Sequence, residues 1–154
     1  MLEGHHYQNA YVTRDVEKWV AKFQERGKID LLLRYEVAAR PVITASGPTV
    51  MSAKLAFIWI GDLNYELIQP VGNDVPLYTD WLPDDDSLRF HHTCMRLEEW
   101  HDFRSRVDQQ PYQVVLEGGD DQGRFIYLDT REFLGHYVEY SWMTESRWQG
   151  LGFC

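Results

Sequence analysis

Gln8-Asn9-Ala10-Tyr11-Val12-Thr13-Arg14-Asp15-Val16-Glu17 and, later in the chain, Phe90-His91-His92-Thr93-Cys94-Met95-Arg96-Leu97 decide the reading of this sequence, because each opens the same order of elements. Residues 7–13 read as a short strand. Asp15 then stands as an N-cap or first-turn acid, and Val16, Trp19, Val20 and Phe23 recur at helical spacing until Gly27. Residues 29–39 suit a strand, and Pro41 to Pro48, with Gly47, reads as a loop or a long hairpin turn. Residues 50–60 and 63–69 are β-rich, with Gly61-Asp62 as a hairpin turn between them. The second copy runs in the same order. It has a strand at 90–97, a helix at 98–110 with Trp100, Phe103 and Val107 on one face, and strands at 112–117, 124–128 and 137–143. Its helix opens one residue sooner than the first. The sequence therefore predicts an α+β chain of two β-α-β-β-β modules, at 5–70 and 90–143, within one domain spanning 1–154. A Pro-, Gly- and Asp-rich connector at 71–89 joins them, and a tail at 144–154 carries Trp148, Leu151 and Phe153.

Composition removes several classes of function. The chain has 154 residues, with 15 Lys and Arg against 24 Asp and Glu, a formal net charge of −9. No Lys/Arg cluster of the kind that binds phosphate backbones occurs, which argues against nucleic acid. The 44% hydrophobic content and 14% aromatic content are those of a folding chain rather than a disordered one. No apolar run reaches the roughly 18 residues a membrane helix needs, and the first residues carry no secretory pattern. The two cysteines, Cys94 and Cys154, do not make a disulfide framework. A cytoplasmic protein without membrane partners is the expectation.

Polar residues that interrupt apolar strands carry the chemistry. Gln8 opens the first strand, Glu66 lies in Tyr65-Glu66-Leu67-Ile68, His92 opens the first strand of the second module, and Glu139 lies in Tyr137-Val138-Glu139-Tyr140. A carboxylate inside a strand core is costly unless paired, hydrogen-bonded or bound to metal. Singly, each has a bland alternative: an outward-facing acid, a satisfied histidine, a surface amide. As a set they occupy the first and last strands of each module in matching positions. Two carboxylates, an imidazole and an amide oxygen form a mixed N/O shell for a divalent ion such as Zn, Ni, Co, Mn or Fe.

In these motifs the chain resembles the vicinal oxygen chelate superfamily, which includes glyoxalase I, methylmalonyl-CoA epimerase, extradiol dioxygenases and bleomycin-resistance proteins. The resemblance covers roughly residues 5 to 143. Gln8 followed by Asp15 is similar to the family's first ligand and helix start. Tyr65-Glu66-Leu67-Ile68-Gln69-Pro70 resembles its carboxylate- or amide-bearing strand ending in Pro. Phe90-His91-His92 resembles the paired-His start of the second module, and Gly135-His136-Tyr137-Val138-Glu139-Tyr140 the closing strand. The resemblance implies a glyoxalase-like, cupped mixed sheet with Gln8, Glu66, His92 and Glu139 as metal ligands on its floor. It further implies chelation of vicinal substrate oxygens, stabilisation of an enediolate-like species, and proton transfer by Glu139 or Glu66, with Glu139 preferred.

Four protein ligands leave two sites of an octahedron, which favours an isomerase, epimerase or lyase over an oxygenase. Two alternatives stay open. One is a non-catalytic hydrophobic binder of the bleomycin-resistance type. The other is an iron-dependent extradiol dioxygenase, with His6 or His91 replacing Gln8. His136 differs in parity from Glu139 and is expected to point away. Trp59, Tyr65, Tyr78, Trp81, Phe90, Tyr137, Tyr140 and Trp142 are candidate cavity walls for a small, aromatic substrate. The apolar tail makes a homodimer the expected assembly.

Overall fold

The computed structural model describes residues 2–153, so Cys154 lies outside the described residues. In chain order the elements are β1 (His5–Val12), α1 (Val16–Arg26), β2 (Leu31–Thr44), β3 (Gly47–Ile60), β4 (Leu63–Pro70), α2 (Pro76–Thr79), β5 (Arg89–Arg96), α3 (Trp100–Val107), β6 (Val114–Asp120), β7 (Gly123–Leu128), α4 (Arg131–Leu134), β8 (Tyr137–Met143) and α5 (Glu145–Gly150). The eight strands form one mixed sheet in the order β1-β4-β3-β2-β6-β7-β8-β5, curled until it closes. β1 pairs in parallel with β4, and β5 in parallel with β8. The two modules meet through the antiparallel β1–β5 ladder and again where Val42–Thr44 of β2 reach β6.

The main helix of each module lies on the outside of this barrel-like cup. α1 lays Val16 and Val20 over Ala56, Ile58 and Leu67. α3 lays Trp100, Phe103 and Val107 over Ile126, Leu128, Val138 and Tyr140. The inner face carries Ala10, Val12, Val42, Ala53, Ile68, Leu116 and Tyr127. Asp15 caps α1 by accepting from the Lys18 amide at 3.0 Å, and Gln69 of β4 accepts from Val16 N at 2.9 Å.

Three expectations change. β2 continues through Pro41 to Thr44, and only residues 45–46 form the turn expected at 41–48. Pro41 pairs with Val50 beyond a β-bulge between Val37 and Arg40, where Ala39 has φ +48° and its amide is held by Ser52 Oγ. Bulges are among the places where a strand tolerates proline. The same bulge changes which residues face inward, from Val37 before it to Arg40 and Val42 after it. Second, α3 is shorter than expected and its N-cap is Glu99. Glu99 stands at His92 + 7, as Asp15 stands at Gln8 + 7, so the expected one-residue offset between modules is absent.

Third, the tail is part of the fold. Trp148 is 1% exposed and packs with Tyr7, Trp59 and Phe153. Trp59 Nε1 donates to Leu151 O at 2.7 Å. Gly152 makes this return possible: its φ is +95°, and a Cβ there would lie 2.5 Å from Leu31 Cδ2. The exposed apolar tail on which the homodimer expectation rested is therefore not present in that form.

Candidate metal centre

Register brings the four residues together. In the β1–β4 ladder Gln8 pairs with Asn64, and Ala10 with Glu66. In the β5–β8 ladder His92 pairs with Tyr137, and Cys94 with Glu139. In each module the carboxylate thus faces the residue two places after the neutral polar one. Alternation puts both on the same side of the sheet. The antiparallel β1–β5 ladder sets Gln8 against Cys94 and Ala10 against His92, which places the two half-sites side by side.

Glu66, His92 and Glu139 each offer a ligand atom, all within 4.8 Å of one another, and all three residues are buried. His92 Nε2 lies 2.9 Å from Glu139 Oε2 and 3.6 Å from Glu66 Oε2. Gln8 is buried beside them. Its Nε2 donates to Asn64 Oδ1 at 3.0 Å, which turns its Oε1 the other way, and that oxygen accepts nothing among the described residues. Asn64 Nδ2 is buried without a partner among the described residues. Such an orphan costs about 1–3 kcal/mol if nothing arrives to satisfy it.

The two carboxylates live differently. Glu139 Oε1 accepts from Ser141 Oγ at 2.8 Å, and Tyr127 also donates to Glu139. Burial works to raise its pKa, but the bonds from His92, Ser141 and Tyr127 outweigh that and hold it below the ordinary carboxylate range. Among the described residues Glu66 has only the longer contact to His92. Burial, and then the charge of Glu139, push its pKa well up. Two buried carboxylates side by side with a single imidazole form a nest short of positive charge. A divalent cation would supply it. The donor set of two carboxylate oxygens, one imidazole nitrogen and one amide oxygen fits that ion chemically.

Around this centre stand further residues, of which the sequence reading picked out Tyr78 alone as a cavity wall. Tyr127, opposite Glu139 in the β7–β8 ladder, lies 3.4 Å from His92 Nε2 and accepts from Tyr78 Oη at 2.9 Å. Burial first, and Glu139's charge second, keep both phenols well above their ordinary pKa, hence protonated. Cys94 Sγ lies 3.5 Å from Tyr7 Oη and 3.4 Å from Ser141 Oγ, entirely inside. Asn64 and Ser141 had a readable signal: each stands two residues from a predicted ligand, on its face of the strand. Tyr78 is one of the expected cavity walls, but its hydrogen bond to Tyr127 had no signal, because it reaches across from the connector.

The alternative histidines do not join the set. His6 Nε2 contacts Asn9 Oδ1 at 2.9 Å on the exposed side of β1. His91 is buried, but its Nε2 is directed to Leu77 O at 3.0 Å. His136 contacts the Tyr137 carbonyl and Phe90, as its parity predicts. The His-rich set required for an extradiol dioxygenase is therefore not assembled.

The centre opens into a cavity of about 110 Å³. Of the expected aromatic walls Trp59 and Tyr78 line it, joined by Tyr7, Phe57, Phe125 and Tyr127. The others pack elsewhere. Tyr65 meets Phe23, Phe90 meets Tyr11, Trp81 meets Tyr137, Tyr140 meets Phe103, and Trp142 packs against the α3 cluster. Arg40, Arg124 and Arg147 also line the cavity. Arg124 and Arg147 pair with Asp121 and Asp120, whereas Arg40 has no ion-pair partner among the described residues.

No protein-family model matches the chain, and no curated protein does. Solved structures do. A hypothetical protein from Bacillus halodurans superposes with a TM-score of 0.67 at 15% identity, covering 94% of this chain and 97% of its own. Methylmalonyl-CoA epimerase from Mycobacterium tuberculosis gives 0.65 at 10% identity, covering 96% and 95%. Streptomyces coelicolor methylmalonyl-CoA epimerase in complex with 2-nitronate-propionyl-CoA gives 0.63 at 11%, covering 92% and 98%. The chain has a glyoxalase-like fold. At these identities the likeness speaks for the fold. No helix among the described residues is long and apolar enough to cross a membrane.

Proposed function

We propose that this chain is a metal-dependent isomerase or epimerase. It would hold a divalent ion with Gln8, Glu66, His92 and Glu139 and act on a small anionic carbonyl compound. The carrying observation is the buried Glu66–His92–Glu139 cluster, with ligand atoms within 4.8 Å, at the floor of an open cavity. A bound divalent ion would supply Lewis acidity toward substrate oxygens. The chain's own residues do the rest. Glu66, the freer carboxylate with the raised pKa, is the better placed of the two to take a proton from substrate carbon and return it. Glu139, fixed by three hydrogen bonds, holds the geometry, which reverses the preference drawn from sequence.

Tyr127 offers a phenol proton beside the same oxygens, and Phe57, Phe125 and Met51 exclude water from an apolar substrate body. Arg40, without an ion-pair partner among the described residues of a chain of net charge −9, suits a carboxylate or phosphate at the mouth. The epimerase neighbours, solved with CoA compounds, agree with that substrate class.

The test has two parts. Metal analysis of protein purified without chelator should find about one divalent ion per chain. The loaded protein should then catalyse solvent deuterium exchange at the acidic carbon of one or more members of a panel of 2-oxo acids and acyl thioesters, and Glu66→Gln should abolish that exchange. One observation favours a second reading, that of a metal-free binder: Glu139 is already satisfied by His92, Ser141 and Tyr127. Protein that takes up no Zn²⁺, Ni²⁺, Co²⁺ or Mn²⁺ would favour that reading.

A further inference from the structure

His91 lies outside the proposed ligand set, fully buried and adjacent in sequence to His92. The two rings meet through their Nδ1 atoms at 2.8 Å. On its far side His91 Nε2 lies 3.0 Å from the carbonyl oxygen of Leu77, in the short connector helix α2. A carbonyl oxygen only accepts hydrogen bonds, so the proton in that contact belongs to His91 Nε2. The other nitrogen of the same neutral ring, Nδ1, is then a bare acceptor. The proton in the Nδ1–Nδ1 contact must therefore be carried by His92. In neutral His92 this leaves Nε2 as the unprotonated nitrogen, the atom 2.9 Å from Glu139 and 3.6 Å from Glu66 and free to meet an ion there; with no ion bound, the hydrogen bond to Glu139 is made only when Nε2 carries a proton as well. The reverse arrangement would set the lone pairs of His91 Nε2 and Leu77 O against each other inside the protein.

We infer that His91 is a positioning residue that fixes the tautomer of His92, and that the Leu77 carbonyl fixes His91 in turn. The inference rests on the metal-centre reading for its purpose, though not for its geometry. Packing makes the relay rigid: the His91 ring stacks on Tyr137 at 4.9 Å, lies tilted against Tyr78 at 5.1 Å and meets Trp81 edgewise at 6.4 Å. Outer-shell partners of metal-bound histidines are often carboxylates. Here a carboxylate would add a third negative charge behind two buried ones. An imidazole gives the same orientation with none. The connector between the modules, which brings Tyr78 to the cavity wall, thereby also orients the imidazole of the centre.

Nitrogen NMR of ¹⁵N-histidine-labelled protein tests the relay, first in chelated protein and then with Zn²⁺. The expected result is a trans-hydrogen-bond ¹⁵N–¹⁵N coupling between the two Nδ1 atoms, the proton attached to His92, and His91 protonated at Nε2. Two variants extend the test by Zn²⁺ competition titration. His91→Gln keeps both an acceptor for His92 and a donor for Leu77, so its affinity should stay within about threefold of wild type. His91→Phe fills the space with neither and should weaken Zn²⁺ binding about 10- to 100-fold. A proton found on His91 Nδ1, a Phe variant that binds as wild type does, or a Gln variant as weak as Phe, each overturns the inference. If His91→Phe does not fold, the wild-type coupling and the Gln variant decide. Wild-type protein that takes up no Zn²⁺ overturns the metal reading instead, and the spectrum of the chelated protein still judges the tautomer.

Discussion

Tyr7 and His91 occupy equivalent places in the two modules, each immediately before its module's neutral polar residue, and each is buried. The modules enclose them with different material. Tyr7 is covered by the tail, through Trp148 and Phe153. His91 is covered by the connector, through Leu77, Tyr78 and Trp81. The neutral candidates beside them are oriented differently too: Gln8 by an amide on the neighbouring strand β4, His92 by the ring next to it in sequence. The carboxylates also diverge, Glu139 fully hydrogen-bonded and Glu66 nearly bare. A repeated frame fixes where four side chains stand. The segments outside the repeat, and polar residues two places along each strand, set their charge and orientation.

The largest effect expected concerns the cover over module one. Trp148→Ala should cost about 3–5 kcal/mol of stability, since it empties a fully buried aromatic site. Urea denaturation measures it, and a loss under about 1 kcal/mol would mean the tail is a dispensable lid.

The paired carboxylates give a sharper contrast, because the same substitution should act with opposite signs. In chelated protein near pH 8, Glu139→Gln should destabilise by about 1–3 kcal/mol, through loss of its charge-assisted bonds. Glu66→Gln should stabilise by a similar amount by removing a charge the fold disfavours. The pH dependence follows the same logic. Glu66 has a folded pKa raised above its ordinary value of 4.5. Its contribution is therefore fully present below that value and is lost as pH rises through the folded pKa. Glu139, lowered, contributes above the ordinary range and loses that contribution as pH falls through its own folded pKa. Thermal melts of chelated protein should thus decline from about pH 5 towards pH 8, and Glu66→Gln should flatten that decline. Equal responses from both carboxylates would erase the distinction between the modules.

The smallest effect tests how module one orients its amide. Asn64→Leu removes the acceptor that holds Gln8 Nε2 and should weaken Zn²⁺ binding about tenfold. Asn64→Asp retains an acceptor at the same place and should restore most of that loss. Isothermal titration measures both, and equal losses would mean that Asn64 serves packing alone.

Much of this centre was legible in the chain. Strand alternation places Gln8, Glu66, His92 and Glu139 on inner faces, and the repeated order of elements sets their correspondence. The helix of module two was misjudged because Glu98 and Glu99 suit a helical turn as well as the extended approach to one, and only the ladder from His92 decides where the chain bends. Pro41 was read as a loop because proline ends most strands, and the bulge at Ala39 that accommodates it has no local signature. The hydrogen bond of Tyr78 to Tyr127 and the roles of Leu77 and Trp148 were invisible, since each acts across the fold from segments outside the repeat.

By itself the sequence determined the doubled β-α-β-β-β order and the four polar positions, because periodicity and turn chemistry are local and survive without knowledge of the partner strand. The tertiary structure alone decided which of those residues meet, which carboxylate is free, and which nitrogen of His92 faces the carboxylates. Those outcomes depend on register between strands distant in sequence, and on hydrogen bonds whose donors and acceptors are brought together only when the sheet closes.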